Sequence, residues 1–137
     1  MQAMLILDSN TISYYVRGDP QVVPRLQALS PVDIGVPAIV EYELRYGLLR
    51  MPPETAAPRL AALAQLLRPM QTLPFDSECA ACAARLRADL EALGTPIGPH
   101  DVLIAATALR HQSTLVTRNV REFSRVPGLQ WLNWHSD

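Results

Sequence analysis

The stretch of sequence that decides the fold is MLILDSNT, residues 4–11, in which four apolar residues lead directly into Asp8. Such a short apolar run is typical of a strand that is buried on both faces of a parallel sheet. Comparable runs, separated by longer helical patterns, occur at residues 32–36, 114–117 and 129–132. This alternation predicts an α/β fold in which a central parallel β-sheet is flanked by helices.

The segments between these runs have the spacing and the boundary residues of helices. Helices are predicted at residues 11–16, 20–29, 37–50, 54–67, 76–93 and 99–111. Pro52 and Pro53 end the third of them, and Gly94 ends the fifth. The helices at 54–67 and 76–93 are amphipathic, which predicts an antiparallel helical pair. Residues 71–75 are a candidate fifth strand, which Pro74 would confine to a sheet edge or a strand end.

Length and composition limit the classes of protein that this chain can be. Its 137 residues predict one domain, residues 1–137, and 49% apolar residues provide material for a buried core. We expect a cytoplasmic protein, because no apolar run approaches the ~20 residues of a membrane span and no signal-peptide pattern is present. All 12 basic residues are arginine, which excludes lysine-dependent phosphate loops and Schiff-base chemistry.

The two cysteines, Cys79 and Cys82, have the C-x-x-C spacing found in redox pairs and zinc sites. Their surroundings are alanine-rich and helical, with no second cysteine pair and no nearby histidine. Both are therefore predicted to be small, partly buried helix residues.

Three acidic residues stand where apolar elements begin or end. Asp8 follows the first predicted strand, where open parallel sheets place ligands, although it could also cap the next helix. Glu43 lies on the apolar side of its helix without a local cation, whereas Glu41 has Arg45 four residues later. Asp101 opens an apolar helix, a position that the helix dipole also favours. Together these acids predict a site for Mg²⁺, which Mn²⁺ could also occupy.

Two polar residues follow the predicted strand at 114–117. Asn119 and Glu122 are three residues apart, which is close to a capping-box pattern, and either one could also join the acid cluster. His100 precedes Asp101, but hydrolysis assisted by metal ions needs no histidine base, so a surface or supporting role is predicted. The chain has no G-x-S-x-G motif, which argues against a serine hydrolase.

Four blocks of the sequence, taken together, closely resemble the PIN-domain ribonucleases of the VapC toxin type. The blocks are LILDSNT at 5–11, VEYELRYG at 40–47, PIGPHDVLIAA at 96–106 and LVTRNVREFSRVPGL at 115–129. Each is weakly specific alone, but the four occur in the family's order along essentially the whole chain. The resemblance implies a PIN-like fold whose parallel sheet has the strand order 3-2-1-4-5.

The resemblance also implies an activity and a set of site residues. The protein would be a magnesium-dependent endoribonuclease toxin that cleaves structured RNA, most often tRNA, by a metal-activated water. Asp8, Glu43 and Asp101 match the three principal acids of the family and would bind the metal. Asn119 stands where the family often has a fourth acid, and Glu122 could compensate for the missing charge. Four arginines near these blocks are candidates for binding the RNA backbone: Arg17, Arg45, Arg118 and Arg121.

The partners that the resemblance implies are the RNA substrate, a second copy in a homodimer, and a VapB-like antitoxin in a toxin–antitoxin complex. The apolar helices between residues 54 and 93 are the predicted surface for the dimer and the antitoxin. One alternative is a catalytically weak PIN-fold module that binds RNA or a partner, which Asn119 makes conceivable. A phosphoacceptor or phosphatase domain is a further alternative, but the lysine on which such sites rely is missing.

Overall fold

A computed structural model describes residues 4–136. The strands are β1 (Leu5–Leu7), β2 (Ile34–Pro37), β3 (Gln71–Leu73), β4 (Thr114–Val116) and β5 (Trp131–Leu132). The α-helices are α1 (Ser9–Val16), α2 (Val23–Gln27), α3 (Ala38–Leu49), α4 (Pro53–Leu67), α5 (Ser77–Ala92), α6 (Pro99–Arg110) and α7 (Val120–Phe123). Within residues 4–136, no helix combines the length and the apolar composition that crossing a membrane requires.

The described strands form one parallel sheet with the order β3-β2-β1-β4-β5. Leu5 of β1 lies opposite Ile34 of β2 on one side and opposite Thr114 of β4 on the other. β3 occupies an edge and ends just before Pro74, since proline cannot donate a hydrogen bond to a neighbouring strand. The predicted α/β class and the implied strand order are both confirmed.

The core lies on both faces of the central strands. Consecutive strand residues point to opposite faces, and Ile6 and Leu7 are both fully buried, as are Leu115 and Val116. Burial of each such side chain contributes roughly 1.5–3 kcal/mol. The apolar run of α6 is buried almost throughout, as its sequence predicts. The strand ends and the start of α6 are thus anchored on a well-packed core.

The antiparallel pairing predicted for the helices at 54–67 and 76–93 is wrong. In the structure α4 packs against α3, whereas α5 packs along α6. The apolar spacing of each helix showed that it has a face to bury, but it did not identify the partner. β3 lies between the two helices in the chain and enters the sheet, so each helix finds a different neighbour.

Two other elements are shorter than the sequence pattern suggests. The helix predicted at 20–29 is confined to α2, because the Asp19 carboxylate accepts hydrogen bonds from the backbone N–H groups of Gln21 and Val22 and holds a turn there. Val32 is exposed in a short 3₁₀ turn, Pro31–Asp33, so β2 begins only at Ile34. Neither difference alters the sheet order.

The predictions for the two cysteines of α5 and for Gly94 are confirmed. Cys79 is buried and Cys82 is half-buried, and burial raises the pKa of both thiols, which makes them poor nucleophiles. Gly94 follows the helix with a φ of 74°, a left-handed conformation that glycine adopts without strain. The C-x-x-C spacing is therefore a feature of helix packing.

The segment after β5 forms hydrogen bonds with the loop between α1 and α2. His135 is buried, and its Nε2 lies 3.0 Å from Oδ2 of Asp19. Its ring packs edge-on against Tyr14, with 4.8 Å between the ring centroids. The Ser136 hydroxyl donates to Oε1 of Gln21 at 2.8 Å. The hydrogen bond to His135 is the main cause that lowers the pKa of Asp19, so the contact favours the ionised carboxylate.

We expect His135→Ala to lower the melting temperature by about 3–6 °C at neutral pH, because it removes both the Asp19 contact and the packing on Tyr14. Thermal unfolding followed by circular dichroism measures the change. His111→Ala is the matched control, since His111 is exposed at the end of α6. Equal melting temperatures for the two variants would show that the C-terminal contact does not stabilise the fold.

Candidate active site

Five residues singled out in the sequence lie at one end of the sheet. We call Asp8, Glu43, Asp101, Asn119 and Glu122 the acidic site. A cavity of about 300 Å³ opens there and is lined by Glu43, Gly98, Pro99, His100 and Asp101. All strands of a parallel sheet end on the same side, so residues that follow β1 and β4 come together with the first turn of α6.

Asp8 links the end of β1 to the start of α1. Its side chain is 5% exposed, and its Oδ1 accepts hydrogen bonds from the Thr11 backbone N–H at 2.9 Å and the Thr11 hydroxyl at 2.6 Å. These bonds make Asp8 the N-cap of α1. All the hydrogen bonds that described residues donate to this carboxylate end on Oδ1, which leaves Oδ2 for another ligand. Asp8 therefore caps the helix and can still serve the site.

Glu43 points from α3 into the same cavity. Its Oε2 lies 3.1 Å from Nδ1 of His100, and its side chain is 24% exposed. Its Oε1 is buried and has no hydrogen-bond partner among the described residues. An unsatisfied buried carboxylate oxygen costs free energy unless a proton or a cation joins it. Glu41, by contrast, pairs with Arg45 at 2.7 Å, so the distinction that the sequence predicts between the two glutamates is confirmed.

Among the residues of the acidic site, Asp101 has the most strongly shifted pKa. Burial and a hydrogen bond to Glu122 raise the pKa of Asp101 from its ordinary 3.8 to about 8. The negative charges of Glu122, Glu43 and Asp8 add to this increase. The same hydrogen bond lowers the pKa of Glu122, so the two carboxyl groups titrate as a pair. The negative charges of these carboxylates therefore disfavour ionisation of Asp101.

Asn119 does not form the capping box that its spacing to Glu122 suggested. Its side chain makes no cap hydrogen bond, and its backbone N–H donates to the Thr117 hydroxyl at 3.0 Å. The amide Nδ2 instead donates to Oε2 of Glu122 at 2.9 Å and to Oδ2 of Asp101 at 3.4 Å. The alternative interpretation was that either residue could join the acid cluster, and the structure places both of them there.

Among the ion pairs described for residues 4–136, no arginine neutralises a carboxylate of the acidic site. The arginine pairs described include Arg45–Glu41, Arg87–Glu91 and Arg110–Glu78. The charge of Arg125 acts on Glu122 from a distance and contributes to lowering its pKa. The four arginines proposed to bind RNA are all exposed, and Arg118 packs over the Tyr14 ring with its Cζ 5.5 Å from the centroid.

The acidic site suits a hard divalent cation in its donor chemistry. Within the described part of the chain, no three Asp, Glu, His or Cys side chains already surround a single point as a finished metal site would. The donors are nevertheless carboxylate oxygens, the ligands that Mg²⁺ and Mn²⁺ prefer. Oε1 of Glu43 has no hydrogen-bond partner among the described residues, and burial together with the neighbouring carboxylates raises the pKa of Asp101.

Sequence reasoning did not identify the contacts of Thr11, and it predicted the role of His100 without identifying the acid that it contacts. Thr11 binds the Asp8 carboxylate through both its backbone and its hydroxyl, and its position three residues after a predicted N-cap was the available signal. His100 was predicted to be on the surface or in support of an acid. It is half-exposed and contacts Glu43, which lies 57 residues earlier in the chain. No local pattern could have revealed that contact.

A parallel sheet of this order, with acids gathered beyond the ends of its strands, defines an α/β domain with a carboxylate site. Residues 5–129 match the PIN domain family. The chain therefore belongs to the PIN domain family, and the resemblance to its VapC-type ribonucleases is confirmed by relatives that match nearly the whole chain.

Two relatives show the extent of the match. The chain is 31% identical over 130 residues to the tRNA(fMet)-specific endonuclease VapC of Salmonella typhimurium, covering 94% of this chain and 96% of that protein. It is 33% identical over 138 residues to the toxin FitB of Neisseria gonorrhoeae, covering 96% and 99%. The crystal structure of DNA-bound VapBC from Salmonella typhimurium superposes with a TM-score of 0.89 at 28% identity, covering 98% of this chain and 100% of that one.

We expect Asp101→Asn to stabilise the metal-free protein in a pH-dependent way. Because folding raises the pKa of Asp101 from 3.8 to about 8, the wild-type protein loses stability as the pH rises between these values. Asparagine carries no charge and can still donate to Glu122. The variant should melt about 2–5 °C above the wild type at pH 8 and at the same temperature near pH 4.

Thermal melts at a series of pH values in EDTA buffer measure this difference. Asp89→Asn is the control, since Asp89 is an exposed carboxylate on α5, and it should show no such trend. A stabilisation by Asp101→Asn that is constant from pH 4 to pH 8 would contradict the electrostatic explanation.

Proposed function

We propose that this protein is a magnesium-dependent endoribonuclease toxin that cleaves structured RNA, with tRNA as the expected class. The observation that carries the proposal is that Glu43 and Asp101 line one cavity, where the Asn119 amide joins Asp101 to Glu122. The names of the relatives support it, because one is called a tRNA(fMet)-specific endonuclease and others are called ribonucleases.

We assign each residue of the acidic site a separate role in hydrolysis. Asp8 and Asp101 would hold the cation, with Mn²⁺ as a substitute for Mg²⁺. When bound, the cation supplies positive charge for the phosphoryl oxygens and makes a nearby water more acidic. Oε1 of Glu43 has no other partner among the described residues, so it can accept the proton of the attacking water. Asn119 and Glu122 keep the Asp101 carboxylate in place.

Phosphodiester hydrolysis requires no covalent intermediate on the protein. The water oxygen adds to phosphorus in line with the leaving ribose oxygen, the bond to that oxygen breaks, and the leaving oxygen takes up a proton. The cavity is open and only about 300 Å³ in volume, so it admits a splayed single strand more readily than a rigid duplex. A loop in a folded RNA meets this requirement.

The proposed partners are a VapB-like antitoxin and a second copy of the chain. Structures that superpose closely include VapBC from Salmonella typhimurium and FitAcB from Neisseria gonorrhoeae, the latter with a TM-score of 0.87 at 32% identity. These similarities support an antitoxin that forms a toxin–antitoxin complex with this chain. The dimer rests on the family resemblance.

We expect expression of the chain without its antitoxin to arrest bacterial growth and to produce new RNA ends. Asp8→Asn, Glu43→Gln and Asp101→Asn should each reduce cleavage about 100-fold or more, because each removes a charge that acts in the transition state. Glu41→Gln is the matched control on the same helix and should retain activity, since Glu41 only pairs with Arg45. Sequencing of RNA ends after induction identifies both the substrate and the cut position.

Two results would contradict the proposal. Toxicity that survives in the Asp8 and Asp101 variants would remove the acidic site from the mechanism. RNA binding without any cleavage by the wild type would favour the alternative of a catalytically weak binding module. Glu122 argues against that alternative, because it brings a carboxylate to the position where Asn119 lacks one.

We expect Mg²⁺ and Mn²⁺ to raise the melting temperature of the wild-type protein, because a ligand that binds only the folded state stabilises it. The increase should saturate with metal concentration and should be much smaller in Asp8→Asn and Asp101→Asn. Ca²⁺-free, EDTA-treated protein titrated in a thermal-shift assay provides the measurement. An identical response in the wild type and both variants would place the metal elsewhere.

A further inference from the structure

His100 lines the cavity of the acidic site, but no step of the proposed hydrolysis uses it. It is the second residue of α6, and its side chain is 50% exposed. Its Nδ1 lies 3.1 Å from Oε2 of Glu43 on α3. An ionised carboxylate can only accept hydrogen bonds, so the ring nitrogen is the donor. The contact thus joins two helices through residues that are 57 positions apart in the chain.

The imidazole ring of His100 is held on a second side by Tyr42. The two rings pack edge-on, with 5.8 Å between their centroids and an interplanar angle of 84°. Tyr42 directly precedes Glu43 on α3, so one helix provides both the acceptor for Nδ1 and the aromatic ring against which the imidazole packs. These two contacts restrict rotation of the imidazole and define the direction in which its Nδ1–H points.

The two carboxylate oxygens of Glu43 have different surroundings. Oε2 accepts the hydrogen bond from His100, whereas Oε1 is buried and has no hydrogen-bond partner among the described residues. A glutamate side chain is long and flexible, so a bond to one oxygen restricts where the other oxygen can lie. Anchoring of Oε2 therefore keeps Oε1 as the oxygen that is available to a ligand in the cavity.

We infer that His100 is a positioning residue, which fixes the Glu43 carboxylate through Oε2 so that Oε1 can accept the proton of the attacking water. This inference rests on the proposed function and adds to it a residue outside the acidic site. The proton passes from the water to Oε1, and the hydrogen bond from Nδ1 is kept, so His100 neither gains nor loses a proton. Residues that orient a reacting or metal-binding side chain commonly contribute about 10- to 100-fold to activity.

Substitutions of His100 separate the hydrogen bond from the ring packing. His100→Phe keeps a ring without a donor, and it should lower kcat about 10- to 100-fold while KM stays within about twofold. His100→Asn places an amide N–H near the position of Nδ1, and it should restore kcat to within about threefold of the wild type. His100→Gln carries its amide further from the backbone and should not restore it. His111→Phe, at the exposed end of α6, is the matched control and should have no effect.

A double-mutant cycle tests whether His100 acts through Glu43. In the Glu43→Gln background, His100→Phe should lower the residual cleavage rate less than about twofold, because the carboxylate that His100 positions is already absent. Thermal melts check that each variant is folded. A double variant whose loss equals the product of the two single losses would overturn the inference, since the two side chains would then act independently.

The hydrogen bond can also be measured in the metal-free protein, without any cleavage assay. NMR spectra of protein labelled with ¹⁵N-histidine, recorded in EDTA, report which ring nitrogens carry a proton. The chain has three histidines, and comparison with His100→Phe identifies the signals of His100. Nδ1 of His100 should carry a proton in the wild type. A spectrum in which this nitrogen carries none would contradict the hydrogen bond and overturn the inference.

If the wild type cleaves RNA, three further results would overturn the inference alone. An unchanged kcat in His100→Phe would show that Glu43 needs no positioning. A KM about tenfold higher with an unchanged kcat would make His100 a substrate contact. A Mn²⁺ affinity about tenfold weaker in His100→Phe, measured by thermal shift, would make it a metal ligand. A wild-type protein that never cleaves RNA would instead overturn the proposed function, and this inference with it.

Discussion

The burial of Asp101 among other carboxylates, at the end of the parallel sheet, is the constraint that the rest of this structure has to satisfy. Burial, a hydrogen bond to Glu122 and the charges of three neighbouring acids raise the pKa of Asp101 to about 8. Such an arrangement lowers stability, so the surrounding core must compensate for it. The buried strands β1 and β4 and the apolar helix α6 provide that support and hold the acids in fixed positions. A candidate site that costs stability is therefore placed beside the most deeply buried elements of the fold.

The same residues serve the fold and the site, which explains how much of the site could be predicted from the sequence. Asp8 is a helix cap and Asp101 lies in a first helical turn, so both occupy positions that strand ends and helix starts identify. Glu43 was distinguished from Glu41 by the absence of a local arginine, and that reasoning succeeded because helix pairs form four residues apart. Local rules suffice where the relevant contacts are local.

Predictions failed where the deciding contact was distant in sequence. The spacing of Asn119 and Glu122 suggested a capping box, but Asp101, 18 residues earlier, draws the Asn119 amide into the acid cluster. The apolar faces of α4 and α5 were visible in the sequence, whereas their partners depended on how the chain crosses the sheet. The contact between His135 and Asp19 spans 116 residues and has no sequence pattern at all.

The charge of the chain adds a further requirement for a protein proposed to bind RNA. The net charge is −1, and the acidic site itself repels phosphate, so no overall positive field attracts the substrate. Affinity must then come from the proposed cation, from exposed arginines and from contacts that do not depend on charge. A site dominated by carboxylates therefore relies on the proposed cation to offset the charge of the phosphates, and on exposed arginines outside the acidic site to bind the RNA backbone.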